Sequence, residues 1–260
     1  RRAKRVALMD SPWGDTLAAW IQQGYPTRRV YRETGEQRMR EDGKSVETEA
    51  TGEYIEPVPP WIHFGYDMTG VSPWFDIQPL RGYSELVEET DAWEVKRNGA
   101  GAALKYWKHK SGTPEHIDFR MTTREIWERD YRPYLLALDP GRFRINELRK
   151  RFAEAHNTGV WTHFGHMFVW ELMRQSMGDV TMYESLVLDP AWVHDFCRVY
   201  TDFFKLHFRY MFEQLGLPDG IWLYEDLGYK NGLFASPKIL AELIFPYYKE
   251  MIDFFHSYDL

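Results

Sequence analysis

The sequence predicts a single α/β domain built around a parallel sheet. In the second half of the chain, segments of strand character alternate with segments of helix character: "GVWTHFGH" (159–166), a long amphipathic stretch (189–216) and "IWLYE" (221–225). This alternation is typical of βα units, in which the strands run parallel. The chain shows no internal repeat and no linker rich in Pro, Gly or Ser. One domain over residues 1–260 is therefore the simplest prediction.

Two more strands are predicted in the first half, and each carries an acid at its end. "RVALMD" (5–10) ends on Asp10, and "WIHFGYDM" (61–68) has Asp67 near its end. Residues 92–110 predict a β-hairpin insertion, because two runs rich in aromatic and β-branched residues flank the turn-forming pair Asn98-Gly99.

The helix limits follow from capping residues. A helix is expected to start at Thr122 or Thr123, and the helix over 189–216 has Pro near its start and Gly at its end. Ser236 and Pro237 supply an N-cap and a first-turn proline for a helix over 238–257.

Composition excludes several classes of function. A net charge of −7 disfavours nucleic-acid binding, which needs clustered Lys and Arg. The single cysteine, Cys197, excludes a disulfide framework and a thiolate metal site within the chain, so a cytoplasmic location is expected. No apolar run reaches the roughly 18 residues of a membrane span. The 17% aromatic content suits a large core or a pocket that stacks on a ligand.

Titratable residues recur where predicted strands end. In α/β barrels such positions carry the chemistry, although a single acid there can equally cap a helix. The residues in this position are Asp10, Asp67, His163, His166, Glu225 and Asp226.

Asp226, with Glu225, is the first candidate for a catalytic carboxylate, since it could accept substrate N–H groups or transfer a proton. The alternative is an ion pair between Asp226 and Lys230. His163 and His166 could bind a metal or move a proton, or be structural. Their i, i+3 spacing on a strand places them on opposite faces, and no metal ligand is assigned.

Further substrate contacts are expected from aromatic and loop residues. Trp13, Trp161 and Tyr224 could stack on a planar ligand or serve as core residues. Lys230 and Asn231 lie on the loop after the strand 221–225, where they would contact a substrate or remain solvated.

The last forty residues, "DGIWLYEDLGYKNGLFASPKILAELIFPYYKEMIDFFHS", resemble the uroporphyrinogen decarboxylase superfamily, which includes cobalamin- and coenzyme M-type methyltransferases. The segments "THFGHMFVWELMRQSMG" and "LDPAWVHDFCRVYTDFF" are similar to that family's strand-glycine-helix segment and to its following helix. The resemblance implies a (β/α)₈ TIM barrel with its site at the carboxyl ends of the strands. It also implies a role for Asp67, as a loose match to the carboxylate that holds tetrapyrrole nitrogens.

Several consequences of the resemblance concern what lies outside this chain. The chain corresponds to about two thirds of a family member, a partial barrel without the C-terminal third. In the methyltransferase branch a zinc ion is bound there by a His-x-Cys pair and a later Cys, so zinc is a cofactor that these residues do not show. The edge of the sheet after the strand 221–225 should then be covered by more chain or by a second copy.

The expected function is methyl transfer from a small methylated donor to a corrinoid or a thiol, with a corrinoid protein as the implied partner. The alternatives are decarboxylation of uroporphyrinogen or a related tetrapyrrole in porphyrin biosynthesis, and a non-catalytic barrel that binds a corrinoid or another small molecule. The decarboxylase has an arginine-rich N-terminal segment, whereas 6–20 here contains no Arg and two acids, and Met173 stands where the decarboxylase has a Tyr. This difference favours methyl transfer over decarboxylation of a polyanionic tetrapyrrole, because such a substrate needs cationic groups in its site.

Overall fold

The computed structural model describes residues 6–32, 37–39, 46–48, 52–71 and 75–260 of the chain. The elements of the first half are α1 (Gly14–Gln22), β1 (Thr27–Arg32), β2 (Gln37–Met39), β3 (Val46–Thr48), β4 (Gly52–Pro57), α2 (Pro60–His63), β5 (Met68–Gly70), β6 (Ser84–Glu89), β7 (Trp93–Asn98), β8 (Ala102–Trp107) and β9 (Glu115–Phe119). The elements of the second half are α3 (Arg124–Ile126), α4 (Ile145–Thr158), β10 (Trp161–Met167), α5 (Val169–Leu188), α6 (Pro190–Leu215), β11 (Gly220–Tyr224), β12 (Gly228–Tyr229), β13 (Gly232–Leu233), α7 (Pro237–Leu243) and α8 (Phe245–His256).

The predicted eight-stranded barrel is wrong. Across the described ranges, the parallel pairing is confined to one three-stranded sheet in the order β11-β10-β5. The other sheets are antiparallel: β6-β7-β8-β9, β1-β4, β2-β3 and the short hairpin β12-β13. The fold is therefore α/β with mixed sheets. The predicted parallel pairing of the strands near 159–163 and 221–225 is confirmed.

The two strands predicted in the first half did not form, and this moves two candidate acids. Residues 61–63 belong to helix α2, because Pro60 occupies its first turn, where a proline with no N–H is favoured. Strand β5 begins only after Asp67, which therefore lies at the amino end of the parallel sheet. Residues 6–10 form no strand, and Arg5 lies outside the described residues. Asp10 consequently ends no strand.

The predicted hairpin is confirmed as β7 and β8, the centre of the four-stranded antiparallel sheet. The Asn98 side chain accepts hydrogen bonds from the backbone N–H groups of Ala100 and Ala102, which fixes the turn. Gly101 follows with φ +84°, and a Cβ there would lie 2.2 Å from the Tyr131 hydroxyl. A residue with a side chain could not make this turn without displacing Tyr131.

The core lies where α5, α6 and α8 pack together and against the parallel sheet. Helix α6 supplies much of its aromatic volume, and Phe196, Tyr200, Phe203, Phe204 and Phe208 are fully buried. These buried rings agree with the prediction that many of the aromatic residues form a large core.

Two helix starts that the sequence indicated are capped as predicted. Thr123, one of the two expected start positions, caps α3. Asp189, which the sequence analysis did not single out, caps α6 through the backbone N–H of Trp192, at 3.1 Å. Ser236 caps α7 by accepting the N–H of Ile239, at 3.2 Å. The predicted helix over 238–257 is broken at Ile244, because Pro246 cannot donate to the preceding turn. Within the described parts of the chain, no helix is both long and apolar enough to cross a membrane.

Candidate functional site

The carboxyl edge of the parallel sheet is where β10 runs into α5 and β11 runs into the β12-β13 hairpin. In open parallel sheets this edge is the usual place for a ligand, because loops and helix N-termini converge there. Two of the predicted site residues, Glu225 and Asp226, follow β11 directly. The edge is therefore the candidate functional site.

One face of the parallel sheet, the open face, is left partly uncovered by the described residues. The register pairs His163 with Gly220, Gly165 with Trp222 and Met167 with Tyr224, so these six residues share a face. Three aromatic side chains on this open face are partly exposed: Trp161 by 39%, Trp222 by 48% and Tyr224 by 38%. A Cβ on Gly220 would lie 2.3 Å from Cζ2 of Trp161, so the glycine lets this indole lie across β11. Neither Trp161 nor Tyr224 is therefore a fully buried core residue, and stacking on a planar ligand stays a prediction for both.

His163 lies between the two tryptophans of the open face. Its ring centroid is 6.0 Å from that of Trp161 and 5.7 Å from that of Trp222, and its side chain is 9% exposed. Neither ring nitrogen has a hydrogen-bonding partner among the described residues. Burial lowers the pKa of the imidazole, an effect that the Phe164 backbone opposes. A buried, unsatisfied imidazole costs about 1–3 kcal/mol relative to a satisfied one. His163 is in mid-strand, not at the strand end as predicted.

His166 points to the opposite face, as the strand spacing predicted. Its ring nitrogens lie 3.2 Å from the carbonyl oxygens of Met167 and Phe75, and it is 1% exposed. Burial lowers its pKa to about 4, so it is neutral near pH 7. His166 is a structural residue in the core and is not part of the open face.

Tyr224 and Asp226 form a hydrogen-bonded pair at the carboxyl edge. The Tyr224 hydroxyl donates to Oδ2 of Asp226 at 2.7 Å. This bond, with a smaller contribution from burial, raises the pKa of Tyr224 to about 12, so the hydroxyl keeps its proton. Asp226 bonds to Tyr224, and no ion pair between Asp226 and Lys230 occurs among the described contacts.

Glu225 points away from this pair and caps helix α5. Its carboxylate accepts the backbone N–H groups of Trp170 at 3.0 Å and Glu171 at 2.7 Å, and the Tyr248 hydroxyl at 2.8 Å. Burial raises the pKa of this carboxyl to about 7, although all three donors favour the charged form. The opposite directions predicted for Glu225 and Asp226 are confirmed by these partners.

The sequence reasoning missed a polar group on α5 that faces the same edge. Arg174 contacts the carboxylates of Glu171, at 3.1 Å, and Asp179, at 2.9 Å, and its guanidinium lies 4.9 Å from the Phe234 ring centroid. Both Glu171 and Arg174 influence the pKa of Tyr224. The sequence contains one signal for this group. Glu171 and Arg174 are charged residues in the mainly apolar first turns of α5, which directly follows β10.

The remaining predicted site residues do not join this group. Asp67 binds the backbone N–H of Leu8 at 2.8 Å, at the amino end of β5. The carboxylate of Asp10 accepts the N–H of Ser11, and Trp13 is 61% exposed at the start of α1. Lys230 and Asn231 are exposed in the turn between β12 and β13.

The described residues do not fit a metal site. No three His, Cys, Asp or Glu side chains in the described ranges are arranged to hold an ion. Cys197 is buried in the middle of α6, and burial raises the pKa of its thiol well above the usual value. This thiol is a poor ligand, since metals bind the thiolate.

Comparisons with known proteins give no relative: no family model, no curated protein and no solved structure matches this chain.

Proposed function

We propose that this chain is a methyltransferase-like enzyme of the uroporphyrinogen decarboxylase superfamily, moving a methyl group from a small donor to a corrinoid or a thiol. The proposal keeps the reaction class that the sequence resemblance implies and not the barrel. The observation that carries it is the chemistry of the carboxyl edge, where acids outnumber cations beside an open aromatic face.

The charge balance supports a neutral or cationic donor. Glu171 and Asp226 lie at this edge, and Arg174 is already paired with Glu171 and with Asp179. A polyanionic tetrapyrrole would meet repulsion here, because like charges at short range disfavour binding by several kcal/mol. The aromatic rings of Trp222 and Tyr224, which lie nearest this edge on the open face, instead suit methyl groups and cationic methylated amines, which bind to aromatic faces.

The Tyr224–Asp226 pair supplies a proton-handling group. In methyl transfer the acceptor attacks the methyl carbon, and the bond from that carbon to the donor heteroatom breaks with its electron pair on the heteroatom. A thiol acceptor loses its proton in this step. Asp226 can accept that proton through the carboxylate oxygen that Tyr224 does not bind, while the Tyr224 hydroxyl, which stays protonated, holds the carboxylate in place.

The test is a transfer assay with a panel of methylated amines, ethers and thioethers. Either a reduced corrinoid or a thiol serves as acceptor, and mass spectrometry follows the methylated product. Uroporphyrinogen is assayed in parallel for carbon dioxide release. Decarboxylation without methyl transfer overturns the proposal in favour of the decarboxylase, and ligand binding without turnover favours a non-catalytic protein.

Asp226→Asn is the informative variant. It keeps the shape and removes the charge, so turnover should fall by about a hundredfold or more, the usual scale for a lost acid or base. The thermal midpoint should barely change, because an exposed carboxylate contributes little to stability. Lys230→Ala is the matched control from the same loop region and should retain activity. Unchanged turnover in Asp226→Asn removes this residue from the site.

A further inference from the structure

A second concave region lies on the other side of β11 from the open face. A groove of about 360 Å³ runs between β11 and α8. Its walls are mainly apolar and come from Phe168, Ile221, Leu223, Ile252 and Phe255. Ile221 and Leu223 alternate with Trp222 and Tyr224 along the strand, so the groove and the open face are separated by β11 itself.

Glu225 supplies a carboxyl group in this apolar groove. Three donors already bind it, from the backbone of Trp170 and Glu171 and from the Tyr248 hydroxyl. A carboxylate has about four lone-pair positions, so one acceptor position remains. Neither Lys nor Arg lines the groove within the described part of the chain.

Among the described residues, the groove thus combines a partly buried negative charge with mainly apolar walls and neither Lys nor Arg. Desolvation of the carboxylate is unfavourable, and an opposite charge brought against it would offset that cost. A hydrocarbon would fill the walls but leave the carboxylate uncompensated, whereas an anion would be repelled by both Glu225 and the neighbouring Glu171.

We propose that this groove binds an apolar amine, with the ammonium group against Glu225 and the hydrocarbon part along Ile221, Leu223 and Phe255. The size and polarity fit a small molecule, since ligand sites are mostly apolar cavities of about 300–1,000 Å³ with a few polar groups. The site is independent of the methyl-transfer proposal, because Tyr224 and Asp226 face the other side of the strand.

The site has a built-in pH dependence. The titratable groups around Glu225 are Glu171 on α5, Tyr248 on α8 and Cys197 on α6, and His256 of α8 also lines the groove. Burial raises the pKa of Glu225 to about 7, while burial and the Glu225 charge keep Tyr248 protonated. Amine binding should therefore strengthen as the pH rises through 7 and Glu225 becomes charged.

The experiment compares three probes of one shape: 3-phenylpropylamine, 3-phenylpropanol and 3-phenylpropionate. Binding to the whole chain is measured by calorimetry at about pH 5.5 and about pH 8. The amine should bind about tenfold tighter than the alcohol at the higher pH, and the carboxylate should not bind. The preference for the amine should weaken about tenfold at the lower pH.

Two variants assign the effect. Glu225→Gln should remove both the amine preference and its pH dependence while the alcohol still binds. Glu242→Gln is the matched control, because it makes the same change in an exposed carboxyl group of α7 that does not line the groove, and it should bind the amine as the wild type does. If Glu225→Gln does not fold, Ile252→Trp, which narrows the groove from a half-exposed position, should abolish binding of all probes.

Equal affinity for amine and alcohol at both pH values overturns the proposal, as does amine binding that survives Ile252→Trp. A chain that self-associates through this groove and binds none of the probes also overturns it, and assigns the groove to a second copy.

Discussion

The buried Glu225 carboxyl should make the stability of the protein depend on pH in a direction opposite to that of most carboxylates. Its pKa in the folded protein is about 7, against an ordinary value of 4.5, because burial favours the neutral form. Below pH 4.5 the group is protonated in both the folded and the unfolded chain. Above 7 it is ionised in both, and the folded chain then bears the cost of a buried charge. The stabilisation present below pH 4.5 is therefore lost as the pH rises through 7.

The magnitude follows from the difference between 4.5 and about 7, which corresponds to about 3 kcal/mol at 1.36 kcal/mol per pH unit. Glu225 is partly exposed, so solvent reduces this to about 1–3 kcal/mol. The assay is urea unfolding of the wild type and Glu225→Gln at several values between pH 4 and pH 8. The variant cannot ionise, so the wild type minus variant difference in unfolding free energy isolates the Glu225 contribution from that of other groups.

We expect this difference to fall by about 1–3 kcal/mol as the pH rises over that window. Glu242→Gln is the control, because its carboxyl is exposed on α7 and its difference should stay flat. A Glu225 difference that is flat or that increases with pH would refute the reasoning, because the three donors would then outweigh burial and keep the carboxylate charged.

Two further predictions concern the sheet and the core. Gly220→Ala should destabilise the fold by about 1–3 kcal/mol in urea unfolding, because the new Cβ would lie 2.3 Å from Trp161. In the control Gly52→Ala the new Cβ meets nothing within 4 Å, so its effect should be nearly neutral. Equal losses of stability in the two variants would contradict the close contact at Gly220. His207 accepts a hydrogen bond from the Asp139 N–H, and burial lowers the pKa of its imidazole to about 4. The wild type should therefore lose stability relative to His207→Gln as the pH falls from 6.5 to 4. A difference in unfolding free energy that does not change with pH would argue against a buried neutral imidazole.

Local sequence was enough to predict features that depend on a few neighbouring residues. Ser236 caps α7 because its side chain reaches an N–H only three residues away. Asn98 makes its turn for the same reason, by bonding the N–H groups of residues two and four positions on. The alternation of 159–166 and 221–225 was likewise sufficient to predict two parallel neighbours.

The position of the site depended on more than these local signals. "WIHFGYDM" contains residues with strand preference, yet Pro60 starts a helix there and the strand begins after Asp67. That shift carries Asp67 from the predicted carboxyl end to the amino end of the sheet. The strand direction and the limits of a strand are set by pairing with residues far along the chain, which a local pattern does not contain.

The sequence by itself determined that acids follow the strand 221–225 and that alternate residues of this strand face opposite sides. Only the tertiary structure decided what each side meets. Glu225 is brought to the N-terminus of α5 and to Tyr248 of α8, partners that lie 54 or 55 residues before it and 23 after it. Asp226, one residue later, meets a tyrosine hydroxyl at an exposed edge. Two neighbouring carboxyl groups therefore acquire different partners and different surroundings, because desolvation and hydrogen bonding depend on which distant segments fold around them.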